Sequence, residues 1–199
     1  VAHELASLGA SVLISGRSAD RLARVAAEID EDGGSCTTAA FDIRDEDAVK
    51  AAVAAAVARH GRIDGLVNNA GGQYPAPLLA ISKRGFDAVV GTNLTGGFLM
   101  MREAFLQGMQ EHGGAIVNMT AGFRNGMPGM AHSGAARAGM ANLTMSAAVE
   151  WAHAGVRVLM TSLNRYDAEW LVDGQLGEDP KFFTEFFQPL SLTSDVFVA

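Results

Sequence analysis

Apolar positions along this chain switch repeatedly between a strand-like run and a helical spacing of three to four residues, and the switches mark out its elements. Val12-Leu13-Ile14 is a short apolar run closed by Ser15-Gly16-Arg17, and it predicts a strand. Ser18 stands where a helix cap belongs. Leu22, Val25, Ala26 and Ile29 follow at one-face helical spacing, and Gly33-Gly34 stops the pattern. Cys36 to Phe41, rich in Thr, predicts a second strand, followed by Asp42-Ile43. Asp45 caps the next helix, with Ala48, Val49, Ala52, Val53, Ala56 and Val57 facing inward and Gly61 as its end. The apolar run Ile63-Asp64-Gly65-Leu66-Val67 predicts a third strand, which stops on Asn68-Asn69-Ala70-Gly71. Residues 82–111 carry two helical stretches around Gly91 to Gly97. Ala115 to Met119 predicts a strand, and 133–153 a long helix with Met140, Leu143, Ala147 and Trp151 on one face. Val156 to Thr161 predicts another strand.

Strands and helices in strict alternation, joined by crossovers longer than about a dozen residues, imply a parallel sheet with helices on both faces. The pattern is that of a doubly wound, Rossmann-like α/β fold. No repeat, low-complexity tract or linker breaks it, so residues 1–199 are expected to form a single domain. Val1 to Gly9 reads as the back half of a helix with its glycine stop, and Asp195 to Ala199 halts inside an apolar segment. Both ends lead to the expectation of a longer functional protein.

The end of the third strand holds the most suggestive residues. Asn supplies donor and acceptor together, Ala keeps the wall low, and Gly lets a ligand approach the backbone. In an open parallel sheet, ligands bind in the crevice beyond the carboxyl ends of the strands. Taken alone, the same four residues read first as a polar turn after a buried strand, and the rest of the chain decides between the two.

Composition narrows the function classes. At 49% hydrophobic, 199 residues bury a substantial core. A net charge of −7, with lysines only at Lys50, Lys83 and Lys181, argues against a nucleic-acid surface. Cys36 is the single cysteine, which excludes an internal disulfide, fits a reducing compartment and leaves no metal-ligand cluster. No apolar stretch approaches the roughly 18 residues needed to span a bilayer, and no signal-peptide pattern is visible. A cytoplasmic protein without a membrane partner is expected.

The chain resembles the short-chain dehydrogenase/reductase family from Val1 to about Arg157. The residues that carry this are Asn68-Asn69-Ala70-Gly71 at a strand end, Gly91-Thr92-Asn93-Leu94-Thr95-Gly96, and Gly114-Ala115-Ile116-Val117-Asn118. The run from Met130 to Gly139, with His132, Ser133 and Arg137, followed by Asn142-Leu143-Thr144 and Glu150-Trp151-Ala152, is similar to peroxisomal-type trans-2-enoyl-CoA reductases. The resemblance implies an oxidoreductase that binds a nicotinamide dinucleotide, a small-molecule substrate that includes acyl-CoA, and a homo-oligomer, dimer or tetramer, built through the long helices. It also implies a central first strand with a Gly-rich phosphate turn, and a last strand. Neither is found in this sequence.

By the same resemblance, Gly16 and Arg17 meet the adenosine ribose, Asp42 and Ile43 meet adenine, and Asn69, Ala70 and Gly71 line the cofactor crevice. No Asp or Glu stands at residues 15–17 to accept two ribose hydroxyls, whereas a guanidinium suits a 2′-phosphate. NADP(H) is therefore expected ahead of NAD(H). Arg17 also reads as a solvated residue at a helix start, and Asp42 as the opening of a turn.

The catalytic positions depart from the family. Tyr74 and Tyr166 are followed four residues later by Leu78 and Trp170, not by the Lys that lowers a catalytic Tyr. The family's Tyr position falls on Ser133, its Lys on Arg137 and its Ser on Ala121, beside Thr120. A further Tyr of the enoyl reductases falls on Ala141, and the family's Pro-Gly falls on Leu163-Asn164. Asn93 alone matches. Asn93, Ser133, Arg137 and Thr120 are the candidate catalytic residues, and no metal is expected.

Three readings fit these departures. Conjugate reduction of an enoyl thioester needs only a donor for the developing enolate oxygen, supplied by Ser133, Thr120 or His132. A nucleotide-binding partner or sensor needs no turnover at all. Halohydrin dehalogenation ranks last, because that branch carries Arg for Lys but keeps the Ser and Tyr. His132 reads as a capping or solvated residue more readily than as a general acid. The methionines, with Met100, Met101, Met127, Met130, Met140 and Met145, suit either an acyl-chain pocket or core gaps. Trp170, Phe182, Phe183, Phe186 and Phe187 fall where the family covers its substrate.

Overall fold

In the computed structural model the described residues are 1–162, together with the backbone of two later strands, Glu169–Gln175 and Lys181–Phe187. Helix α1 (Ala2–Ser7) leads into β1 (Ser11–Gly16), α2 (Ala19–Glu31), β2 (Ser35–Ala40), α3 (Glu46–His60) and β3 (Gly65–Asn68). These bounds match the pattern expected from the sequence to within one or two residues, apart from a third strand that begins only at Gly65. The caps do as well: Ser18 Oγ accepts from Arg21 N–H at 3.5 Å, and Asp45 Oδ1 from Ala48 N–H at 3.1 Å. Each satisfies an amide that the first helical turn leaves without a partner. Gly61 closes α3 at φ +82°, a conformation that side-chain-bearing residues resist.

Beyond β3, the expected pair of helices is one continuous helix. It runs through α4 (Lys83–Val90), a π-helical turn Gly91–Gly96, α5 (Gly97–Ala104) and a second π turn Phe105–Met109. The glycines that suggested a break are there for space. A Cβ on Gly96 would lie 2.6 Å from Ile43 Cδ1, and one on Gly97 would collide with Met140 Cε. Single π turns inside helices recur at functional sites, and this one carries Asn93.

Strand β4 (Gly114–Thr120), helix α6 (Ala131–Trp151) and β5 (Val156–Ser162) follow. Strands β1 and β2 pair in parallel, and β3, β4 and β5 form a parallel sheet in that order, with Asn68 opposite Asn118 and Asn118 opposite Met160. The fold is the doubly wound α/β type, with helices on both faces. Among the described residues, β1 pairs only with β2, and β3 only with β4, so each keeps one edge without a ladder partner. Glu169–Gln175 (β6) and Lys181–Phe187 (β7) pair antiparallel, which the sequence pattern did not predict. Leu163 and Asn164 lie outside the described residues, as do the side chains of Trp170, Phe182, Phe183, Phe186 and Phe187.

The main core joins Met101, Ala104, Phe105 and Met109 to Ile116, Val156 and Val158 of the sheet and to Met140, Ala147 and Ala148 of α6. Trp151 stacks on Phe105 with ring centroids 4.4 Å apart. A smaller core joins Val49 and Val53 of α3 to Leu99. Met101 and Met140 therefore fill the interior, and the acyl-pocket alternative does not apply to them. No helix among the described residues is long and apolar enough to cross a membrane.

Candidate active site

Parallel pairing brings the carboxyl ends of β1 and β2 to one place. The Gly16 carbonyl accepts from Phe41 N–H at 2.9 Å, which sets Arg17 close enough to Asp42 for its charge to be felt there. Asp42 is already engaged. Arg44 Nε donates to both of its carboxylate oxygens, at 2.9 and 3.1 Å, Arg44 Nη2 donates at 2.5 Å, and the Arg44 amide donates at 3.0 Å. These charge-assisted bonds hold the Asp42 carboxyl down at about 2, well below the usual carboxylate range. Arg17, exposed and in no ion pair among the described residues, is left with its positive charge uncompensated. Ile43 packs beside the smaller core and over Gly96, so it anchors the π turn to the end of β2.

A titration tests this placement. The folded-state value of Asp42 lies below its ordinary 3.8, so the stabilisation from the pair is present above about pH 3.8 and lost as pH falls through about 2. The carboxyl carbon shift of Asp42 in NMR should stay that of a carboxylate to about pH 2. In Arg44→Ala the transition should move up toward the ordinary range.

On the other side of the crevice, the loop after β3 is held by a buried amide. Asn93 Oδ1 accepts from Gly72 N–H at 2.8 Å, and Asn93 Nδ2 donates to the Gly72 carbonyl at 2.9 Å. A Cβ on Gly71 would lie 2.7 Å from Arg137 Nη2 and 3.1 Å from Asn93 Oδ1, so no larger residue fits without displacing them. Arg137 Nη1 donates to the Met119 carbonyl at 2.6 Å, while its buried Nε has no partner. Burial lowers the pKa of this guanidinium, which nevertheless stays charged. Ser133, fully buried, donates its hydroxyl hydrogen to Gln73 Oε1 at 2.7 Å.

Asn93, Arg137 and Ser133 thus all lie against the loop Gly71–Gln73. Thr120 does not join them: its hydroxyl donates to the Thr161 carbonyl at 3.1 Å and pins β4 to β5. His132 departs from the sequence expectation too. It is neither a cap nor solvated, but fully buried, with both ring nitrogens unpartnered and its ring edge-on to Tyr74 at 4.7 Å. The reason is helical geometry: His132 shares its face of α6 with buried Ala136 and Met140, at four-residue intervals.

The motif at the end of β3 divides in two. Asn69, Ala70 and Gly71 are exposed to the crevice, whereas the Asn68 amide turns inward. Asn68 Nδ2 donates to the Gly97 carbonyl at 3.2 Å and to Asn118 Oδ1 at 2.9 Å. Asn118 Nδ2 donates in turn to Thr144 Oγ1 at 2.9 Å, and Thr144 to the Met140 carbonyl at 2.8 Å. This chain ties β3, β4, α5 and α6 together beneath the site. Sequence reasoning gave no role to Asn118, Thr144, Gly72 or Gln73. A signal existed for one of them: Asn118 lies two residues beyond Ile116 in a strand, on the same buried face, where an amide must find partners.

A doubly wound sheet with polar residues gathered at the strands' carboxyl ends has the layout in which open α/β folds bind their ligands. The family model described as short chain dehydrogenase matches residues 1–169, and the chain belongs to that family. It is similar to the citronellol catabolism dehydrogenase of Pseudomonas aeruginosa, with 57% identity and a TM-score of 0.80 over 82% of this chain and 67% of that one. A metagenomic short-chain oxidoreductase, solved in complex with NADP, is 32% identical, with a TM-score of 0.75 over 82% of this chain and 73% of that one. The peroxisomal 2,4-dienoyl-CoA reductase of Danio rerio is 32% identical over 79% of this chain. The chain spans about half the length of that reductase, 53%.

Members of this family bind NAD or NADP. The residues here fit a nicotinamide dinucleotide on the adenosine side: two guanidiniums, Arg17 and Arg44, surround Asp42, whose carboxylate oxygens Arg44 occupies. The exposed backbone at Asn69–Gly71 leaves a low wall for the rest.

Proposed function

We propose that this protein is an NADP(H)-dependent oxidoreductase that reduces the double bond of an enoyl thioester or a closely related unsaturated carbonyl compound. One observation carries the choice. The polar groups around Gly71–Gln73 are hydrogen-bond donors or their supports, and among the described residues neither a Tyr–Lys pair nor a free carboxylate stands with them. Oxidising an alcohol demands a base for the hydroxyl proton. Reducing a conjugated double bond demands only donors at the carbonyl oxygen, where charge develops.

Arg17 would hold the 2′-phosphate of the dinucleotide, and Asn69, Ala70 and Gly71 would line its path past the end of β3. When bound, the cofactor supplies a hydride. Asn93 keeps the Gly71–Gln73 loop in place, and Arg137, spanning Gly71 and Met119, holds a positive charge beside it. Water supplies the proton that finishes the product. Exposed Leu106 on the long helix and Met145 and Val149 on α6 support assembly of identical chains through these helices.

NADPH oxidation with crotonyl-CoA and longer or branched 2-enoyl-CoAs tests the proposal on the purified protein. Turnover of these thioesters is expected. The 57% identity to a citronellol catabolism dehydrogenase favours a second reading, oxidation of an alcohol such as citronellol. Activity on citronellol without any on enoyl thioesters would decide for that reading. NADPH binding without turnover of either class would leave a nucleotide-binding partner or sensor.

A further inference from the structure

Building on the reductase reading, we infer that Gln73 supplies the hydrogen bond to the substrate's carbonyl oxygen, and that Ser133 acts only by orienting it. Ser133 stands where the resemblance implies a catalytic hydroxyl, yet it is fully buried and its one hydroxyl hydrogen is spent on Gln73 Oε1 at 2.7 Å. It has nothing left to donate to a substrate. The carboxamide of Gln73 is two-ended. Its oxygen is tied to the interior through Ser133, and its Nε2 keeps two hydrogens without a partner among the described residues, on an exposed side chain.

Two neighbouring donors are occupied, and the free Arg137 Nε and His132 nitrogens are buried away from the crevice. Arg137 Nη1 is committed to the Met119 carbonyl, and Asn93 is committed through both ends of its amide to Gly72. Those same Asn93 bonds fix the residue immediately before Gln73, so both the backbone and the side chain of Gln73 are held before a substrate arrives. The neutral amide N–H is suited to an oxygen that gains negative charge during reduction. Gln73 forms and breaks no covalent bond in this role.

Kinetics of Gln73→Leu, Ser133→Ala and the double variant test the inference. Gln73→Leu should bind NADPH like the unmodified protein and lose roughly 100-fold in kcat, the usual cost of one such donor. Ser133→Ala should lose less, Ser133→Thr should recover part of that loss, and the double variant should be no worse than Gln73→Leu alone. Unchanged kcat in Gln73→Leu, or additive losses in the double variant, would overturn it. If the unmodified protein turns over no enoyl thioester, the reductase reading fails first, and NMR then decides on Gln73. Its side-chain amide signals, assigned by their loss in Gln73→Leu, should shift when crotonyl-CoA is added with NADP. Signals that stay in place would refute the donor role by themselves.

Discussion

Replacing Arg17 with Ala is expected to weaken NADPH binding by roughly 10- to 100-fold and to leave NADH binding unchanged. The magnitude is that of losing charge-assisted hydrogen bonds worth about 1.5–3 kcal/mol. The selectivity follows from the carboxyl ends of β1 and β2. Arg17 is exposed there, with Asp42 as its charged neighbour, and Asp42 is bound on both oxygens by Arg44. A 2′-phosphate would meet an uncompensated guanidinium, whereas a 2′-hydroxyl offers it no charge. Fluorescence titration with both cofactors reads the difference directly, and raised salt should erode the NADPH advantage. Equal losses for NADPH and NADH would mean that Arg17 supports the fold and not the phosphate. Arg44→Ala separates charge from contact: it frees the Asp42 carboxylate toward Arg17, so NADPH binding should weaken there as well.

The second large effect is expected in stability. Asn118→Leu keeps the volume of a fully buried side chain and removes its hydrogen bonds. Asn68 Nδ2 then keeps only the longer bond to Gly97, and Thr144 Oγ1 loses the donor it accepts from. Buried groups left unsatisfied cost about 1–3 kcal/mol each, so the variant should lose roughly 2–5 kcal/mol. For a domain of this size that lowers the melting temperature by on the order of 10 °C. Asn142→Leu, on an exposed position of the same α6, should change it little. Because Asn68 directly precedes the exposed Asn69–Gly71 wall, Asn118→Leu should also weaken cofactor binding even where the protein remains folded. Thermal melts with and without NADPH separate the two consequences: a smaller ligand-induced shift in the variant marks damage to the site.

Much of the architecture was legible along the chain because its causes are local. Ser18 and Asp45 cap helices through amides three residues away, and the buried faces of α2 and α3 follow a spacing that any helix imposes. The segment 82–111 misled for an equally physical reason. Gly96 and Gly97 look like helix stops, but they are the places where Ile43 and Met140 come too close for a side chain. Those neighbours are about 50 and 40 residues away in sequence, and no local pattern announces them.

The site divides along the same line. Asn93, Ser133 and Arg137 were found from the sequence, and they do gather around one loop. What each does there depends on partners that only folding supplies. Ser133 was expected to face a substrate and is bound to Gln73 instead. Thr120 was expected beside it and is bound to Thr161. His132 was expected at the surface and is buried beside Tyr74.

By itself, then, the sequence determined the order of the five parallel strands and of the helices outside 82–111, the caps, the parallel doubly wound class and the family's motif at the end of β3. Hydrophobic periodicity and capping act over a few residues, so they can be read without knowing the fold. Only the tertiary structure decided which amide of Asn68-Asn69 faces the crevice, which hydroxyls are already spent, and which donor is left over at Gln73. A polar side chain becomes a functional one through the hydrogen bonds it does not make internally, and those are settled by groups that meet only when β3, β4, α5 and α6 pack together.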